Sequence, residues 1–149
     1  QSKVSRRSDQ TVTVGELIDA CTLRLRRARV FFGHGTDNAR DEAAELVFFV
    51  AGLDHARGAA VYPVRLGTRQ QARIATLLAR RIEERLPLAY LTHRAFFAGL
   101  QLYVDPRVLV PRSPVAELIL ARFRPWIDPR RVHRMADIGT GSGAIALAC

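Results

Sequence analysis

The sequence predicts an α+β chain: a bundle of three helices, a β-hairpin, and then the opening of an α/β domain in which a strand passes through a glycine turn into a helix. Three observations carry this. Apolar residues recur at helical spacing from Val14 to Ile82, and the period changes to alternation after Phe96. Gly139, Gly141 and Gly143 then stand at every second position, between a short apolar run and Ala144-Ile145-Ala146-Leu147. With 149 residues, 48% of them hydrophobic, the chain can bury a real core.

The elements follow in order. Residues 1–10 are polar and read as a flexible lead-in, and the chain does not begin with methionine, as expected of a processed or trimmed end. Thr13 with Glu16 makes a capping-box signature. Val14, Leu17, Ile18, Cys21, Leu25, Ala28 and Phe32 continue as one apolar stripe, expected to end near Gly33 or Gly35. Thr36 or Asp37 is expected to cap a second helix, with Asp41 and Glu42 at its positive end and Gly52 closing it. Its buried stripe is Ala43, Leu46, Val47 and Val50, while Phe48 and Phe49 enclose it further. Residues 54–66 read as irregular because of Gly58 and Pro63. Thr68 is expected to cap a third helix, with Ile74, Ala75, Leu78 and Ile82 on its inner side and Pro87 as its stop. Helices joined by short connections pack as a small bundle.

Beyond Phe96, Leu100, Leu102 and Val104 alternate with Gln101 and Tyr103. Asp105-Pro106-Arg107 reads as the turn, and Val108-Leu109-Val110 as the returning strand. Ser113 is placed as an N-cap with Pro114 at the first helical position; Val115, Leu118, Ile119 and Phe123 form that helix's inner face, and Pro125 closes it. Residues 134–138 then read as a short buried strand entering the glycine turn.

That turn is the richest chemical signal. Glycines let the backbone bend tightly, so that its N–H groups and the following helix N-terminus can approach a nucleoside ligand. Gly139-x-Gly141-x-x-Ala144 satisfies the loose dinucleotide fingerprint. Asp137-x-Gly139-x-Gly141-x-Gly143 also resembles motif I of class I S-adenosylmethionine methyltransferases. A strand-to-helix turn with no ligand is the plain structural alternative.

The formal net charge is +9, and every basic residue except Lys3 is arginine. Such a surface favours polyanionic surroundings, although a GC-rich genome would give the same arginine skew. Arg24, Arg26, Arg27 and Arg29 lie around the polar side of one helix with no aromatic stacking platform, which speaks against sequence-directed nucleic-acid recognition and leaves general contact with a ribonucleoprotein open. No apolar run approaches the ~20 residues of a membrane span. No small-residue cleavage site follows the basic N-terminus. Cys21 and Cys149 lack metal-site spacing and read as reduced cysteines of a cytoplasmic protein, and the four histidines are scattered, so no metal is expected.

Several runs together resemble one family, the glutamine N5-methyltransferases that modify termination factors and a ribosomal protein. They are Asp41-Glu42-Ala43, Pro87-Leu88-Ala89-Tyr90-Leu91, Phe96-Phe97, Val108-Leu109-Val110-Pro111-Arg112 and Asp137-Ile138-Gly139-Thr140-Gly141-Ser142-Gly143. The branch acting on release factors carries Pro-Arg-Pro-Glu/Asp-Thr-Glu after the hairpin. Here Pro111-Arg112-Ser113-Pro114-Val115-Ala116-Glu117 is similar instead to the branch that methylates a glutamine of large-subunit ribosomal protein L-three.

The resemblance implies a helical substrate-recognition domain over 11–95, a β-hairpin linker over 96–112, and over 113–149 the first part of a Rossmann-like class I methyltransferase domain. It implies S-adenosyl-L-methionine as cofactor, held by Asp137, Gly139, Thr140, Gly141, Ser142 and Gly143. Phe96, Phe97, Arg112 and Ser113 are expected at the cofactor and glutamine pocket. The family's amide-holding Asn-Pro-Pro-Tyr motif does not occur in these residues, and no catalytic residue is assigned. The sequence is therefore expected to be an N-terminal fragment, inactive alone. The competing functions are a release-factor methyltransferase and a non-catalytic helical module docking on ribosomal particles; a nicotinamide oxidoreductase has nothing upstream in its favour. The sequence sets no oligomeric state.

Overall fold

The structure is a computed structural model that describes residues 11–149. The expected lead-in at 1–10 lies outside the described residues. Two compact units are present: the chain up to Phe31 with Thr36–Leu86, and Phe32–Gly35 with Pro87–Cys149.

The first unit is built on three helices. Strand β1 (Val12–Thr13) leads into α1 (Val14–Ala28) through the expected capping box. Thr13 Oγ1 accepts from the Glu16 amide at 3.2 Å, and the Thr13 amide donates to the Glu16 carboxylate at 2.9 Å. These bonds to Thr13 hold the Glu16 carboxyl below its usual range. Thr13→Ala is expected to cost about 1 kcal/mol, read as a lower urea midpoint at unchanged slope.

Helix α1 ends at Ala28, earlier than the apolar stripe suggests. Arg29 takes a left-handed conformation (φ 48°), and Arg85 Nη1 donates to the carbonyls of Ala28 and Arg29 at 3.0 and 3.3 Å. The last carbonyls are thus satisfied before the glycines are reached.

Helix α2 (Ala39–Ala51) is capped by Asn38 rather than by Thr36 or Asp37. Asn38 Oδ1 accepts from the amides of Arg40 and Asp41, both at 3.0 Å, while Thr36 turns its hydroxyl to Glu42 at 3.2 Å. Gly52 closes the helix at φ 67°, as expected. Residues 54–66 contain a short 3₁₀ segment, His55–Val61, and strand β2 (Arg65–Leu66), which pairs antiparallel with β1.

Helix α3 (Thr68–Glu83) begins with Thr68 as its first residue, not its cap. Gly67 occupies the cap position, and its amide donates to Gln70 Oε1 at 3.3 Å. Its inner face is Ile74, Leu78 and Arg81; Ala75 is exposed and Ile82 only half-buried.

Arg81 is the unit's unexpected interior residue. Arg81 Nε meets Glu42 Oε1 at 2.6 Å, with Arg81 3% and Glu42 4% exposed. Its Nη2 also donates to the Phe31 carbonyl at 2.6 Å. The pair therefore ties α2, α3 and the exit of α1 together in the unit's interior, where Ile18, Leu25, Leu46, Ile74 and Leu78 are also buried.

The second unit opens with α4 (Leu88–Thr92), a single turn following Pro87. Strands β3 (Ala95–Phe97) and β4 (Leu100–Leu102) pair with Phe97 opposite Leu100. This hairpin is shifted from its expected place. Ala98 and Gly99 both have positive φ (47° and 82°), the geometry of a two-residue primed turn that matches strand twist. Asp105-Pro106-Arg107 does form a turn, closed by the Val108 amide on the Asp105 carbonyl at 3.1 Å, but no strand forms at 108–110. Val104 and Val110 instead tuck into a small core with Ala89 and Ala95, and Tyr90 donates its hydroxyl proton to the Val108 carbonyl at 2.6 Å.

Helix α5 (Val115–Leu120) starts one residue after the expected position. The cap position falls to Pro114, not Ser113; Ser113, one residue earlier, accepts from the Val115 amide through its Oγ at 3.3 Å. The helix stops before Pro125 because Arg122 and Phe123 turn left-handed (φ 54° and 56°), their amides bonding to Ile119 and Leu118 carbonyls. Residues 134–138 form no strand, and Ile138 is 95% exposed. The correction has a simple cause: an extended segment becomes a buried strand only with a hydrogen-bonding neighbour, and among the described residues none pairs with it. After the glycines comes α6 (Ala144–Ala148).

Candidate functional site at the glycine turn

The glycine turn itself has the expected tight backbone. Gly139, Gly141 and Gly143 have φ of 75°, 57° and 77°, a region costly to L-residues. The Gly143 amide donates to the Thr140 carbonyl at 2.9 Å, closing the bend. Asp137 staples it: one carboxylate oxygen accepts from Thr140 Oγ1 at 2.9 Å and from the Ala146 amide in α6 at 3.2 Å. A Cβ added to Gly139 or Gly141 would meet nothing within 4 Å, so the turn's outer side is open to a ligand.

The hairpin supports this turn from behind. Phe97 is buried and packs in one cluster with Ile119 and Ala144, joining β3, α5 and the first residue of α6. Phe96 faces outward, 49% exposed, with the Arg94 guanidinium 5.1 Å from its ring centre. Arg112 is exposed and donates to the Gly33 carbonyl at 3.4 Å. Ser113 Oγ accepts from the Val115 amide at the start of α5. The structure thus brings Phe97 beside the helix that follows the glycines and leaves Phe96 and Arg112 at the surface.

A second set of residues reaches the turn. Tyr103, Asp105, Arg107, Val108 and Ser142 line an open surface cleft of about 340 Å³. None of these except Ser142 stands out as a site residue in the sequence, although Tyr103-Val104-Asp105 and the run from Val108 belong to the stretches that carry the family resemblance. A larger cavity of about 770 Å³, lined by Ile119, Phe123, Ile127, Val132, Met135 and neighbours, includes no residue of the glycine turn.

The Asp105 side chain is pinned by Arg107, whose Nε and Nη2 donate to it at 2.9 and 2.6 Å and whose amide adds a bond at 3.0 Å. Arg107, helped by the Tyr103 hydroxyl, lowers the Asp105 carboxyl from 3.8 to about 2. A carboxyl whose folded pKa is depressed adds stability above its unfolded pKa and loses it as pH falls. Wild type and Asp105→Asn are therefore expected to be equally stable at the acid end and to diverge as pH rises from about 2 through 3.8, measured by urea denaturation across that range. Exposure of Arg107 keeps the difference small in salt.

No group of three His, Cys, Asp or Glu side chains among the described residues is placed to hold a metal ion. No helix among them is long and apolar enough to cross a membrane. Cys21 is buried, and that burial pushes its thiol up to about 11; Cys149 is exposed, and both are free.

The chain is 48% identical over 141 residues to the ribosomal protein uL3 glutamine methyltransferase of Xanthomonas campestris pv. campestris, covering 95% of this chain and 46% of that protein. It is 45% identical over 141 residues to the Xylella fastidiosa protein of the same name, covering 95% and 45%. The Bordetella pertussis protein of that name is 43% identical over 136 residues, covering 91% and 46%. The chain thus spans about half the length of the curated relatives it matches. Residues 16–92, more than half of the chain, match the family described as the PrmC N-terminal domain, and the chain belongs to that family.

Proposed function

We propose that this chain is part of an S-adenosyl-L-methionine-dependent enzyme that methylates a glutamine side chain, on N5, in ribosomal protein uL3, the L-three protein of the large subunit. The observation that carries the reading is the glycine turn: three alternate glycines at positive φ, open on the outer side at Gly139 and Gly141, in a chain whose relatives bear that enzyme's name. Residues 11–95 would recognise the substrate, 96–112 would link, and 113–149 would open a Rossmann-like catalytic domain. The protein would act in the cytoplasm, where ribosomal proteins are made.

The residues present fit the cofactor. Gly139, Thr140, Gly141 and Ser142 offer backbone amides along the bend, whose outer side is open at Gly139 and Gly141; Gly143 closes it by donating to the Thr140 carbonyl, and Asp137 staples it. When bound, the cofactor supplies an electrophilic methyl group on a sulfonium. An amide nitrogen is a poor nucleophile because its lone pair is delocalised, so the acceptor must be gripped and aimed. The Phe97 cluster fixes the base of the turn against which that alignment is made. By the resemblance, an Asn-Pro-Pro-Tyr motif outside these residues holds the amide itself.

The exposed Arg24, Arg26, Arg27 and Arg29 at the end of α1 give the helical unit a basic surface suited to contact with a ribosomal particle. A purely non-catalytic docking module would share that surface but would need no cofactor. Mass spectrometry of uL3 from cells lacking the gene separates the two. One glutamine lighter by a single methylene than in the parent strain is the expected result; identical masses reject the enzyme.

A further inference from the structure

We propose that Tyr103, backed by the Asp105–Arg107 pair, is a docking surface for the stretch of acceptor polypeptide next to the target glutamine. This rests on the methyl-transfer reading above and adds to it the side from which the protein substrate approaches.

The loop carrying Tyr103 is anchored at several points yet leaves its aromatic ring in solvent. Val104 is fully buried in the core with Ala89, Ala95 and Val110. The Val108 carbonyl accepts the Tyr90 hydroxyl at 2.6 Å, and Asp105 is held by Arg107. The Tyr103 ring lies parallel to His93, with centroids 5.2 Å apart and planes at 9°, and His93 Nδ1 is 3.2 Å from the Val104 carbonyl. Tyr103 nevertheless remains 65% exposed. A rigid, solvent-facing tyrosine loses little conformational entropy on contact, which is why Tyr and Arg dominate binding hot spots.

Its position selects the ligand. Tyr103, Asp105, Arg107 and Val108 share one open cleft of about 340 Å³ with Ser142 of the glycine turn. That is the lower end of ligand-sized clefts, which run from about 300 to 1,000 Å³. A cofactor's ammonium or sulfonium would seek a free carboxylate, but Asp105 already accepts from three N–H groups of Arg107. A neutralised ion pair beside an aromatic face complements neutral planar groups instead, namely peptide units and an apolar side chain. Such a segment would lie beside the turn that holds the methyl donor.

The test is steady-state kinetics of the full-length enzyme on uL3, with calorimetric titration of S-adenosylmethionine in parallel. Tyr103→Ala and Tyr103→Leu are each expected to raise KM for uL3 roughly tenfold, while cofactor affinity stays within about twofold and Tyr103→Phe behaves as wild type. Leucine keeps bulk against His93, so a folding defect in the alanine variant does not decide the outcome. An unchanged KM in Tyr103→Leu overturns the proposal. So does a parallel loss of cofactor affinity in that variant, which would assign the ring to the cofactor. Failure of the wild type to methylate uL3 would instead remove the underlying reading, and the control shows it directly.

Discussion

Arg81→Ala is expected to destabilise the helical unit by about 3–5 kcal/mol, because it leaves the Glu42 carboxylate buried without its cation. Glu42 is 4% exposed, and its remaining partner is the Thr36 hydroxyl at 3.2 Å. The Phe31 carbonyl loses its donor as well. A buried ion pair is nevertheless poor evidence of net stabilisation, since removing two charges from water costs several kcal/mol per ion. Arg81→Met combined with Glu42→Leu is therefore expected to recover most of the loss. Urea denaturation of the single and double variants checks both statements. A single variant as stable as wild type would mean that water reaches Glu42 and the interior is wetter than its burial indicates.

That pair also shows what the sequence concealed. Arg81 sits three residues beyond Leu78 and seven beyond Ile74, on the apolar face of α3, so the anomaly is visible as a pattern. Its partner lies 39 positions earlier on another helix, and nothing local identifies it. The capping box of α1 was legible because both halves fall within three residues. The cap of α2 was harder: Thr36 and Asp37 were the expected candidates, and only the folded backbone shows that Asn38, the next residue, reaches two amides. The hairpin's one conspicuous turn signal, Asp105-Pro106-Arg107, closes a loop rather than a ladder, and the ladder turns at Ala98-Gly99. The glycine turn was legible in its backbone, since alternate glycines announce left-handed geometry. The residues before it were not, because a buried strand is a property of its neighbours. Tyr103 escaped notice as a site residue because an exposed aromatic in an alternating run looks like ordinary strand surface.

The second large effect falls on the turn. Gly141→Val places a β-branched side chain at φ 57°, where an L-residue costs roughly 1–2 kcal/mol even without a clash. The added atoms project into the open side of the turn, where nothing of the chain lies within 4 Å. Strain and obstruction therefore act together on the same ligand. The expected result, by calorimetry on the full-length protein, is loss of S-adenosylmethionine affinity by at least about tenfold, equivalent to ~1.4 kcal/mol. The helical unit should keep its thermal stability, since its core shares no residue with the turn. Unchanged affinity would strip the glycines of their assigned role.

Where the methyl group goes tests the assigned chemistry most directly. Full-length enzyme, purified uL3 and S-adenosylmethionine carrying an isotopically labelled methyl group, followed by tandem mass spectrometry of the uL3 peptides, reads this in one step. The label is expected on the side-chain nitrogen of a single glutamine. Label on another residue type, or none on uL3 while the enzyme binds the cofactor, would contradict the account.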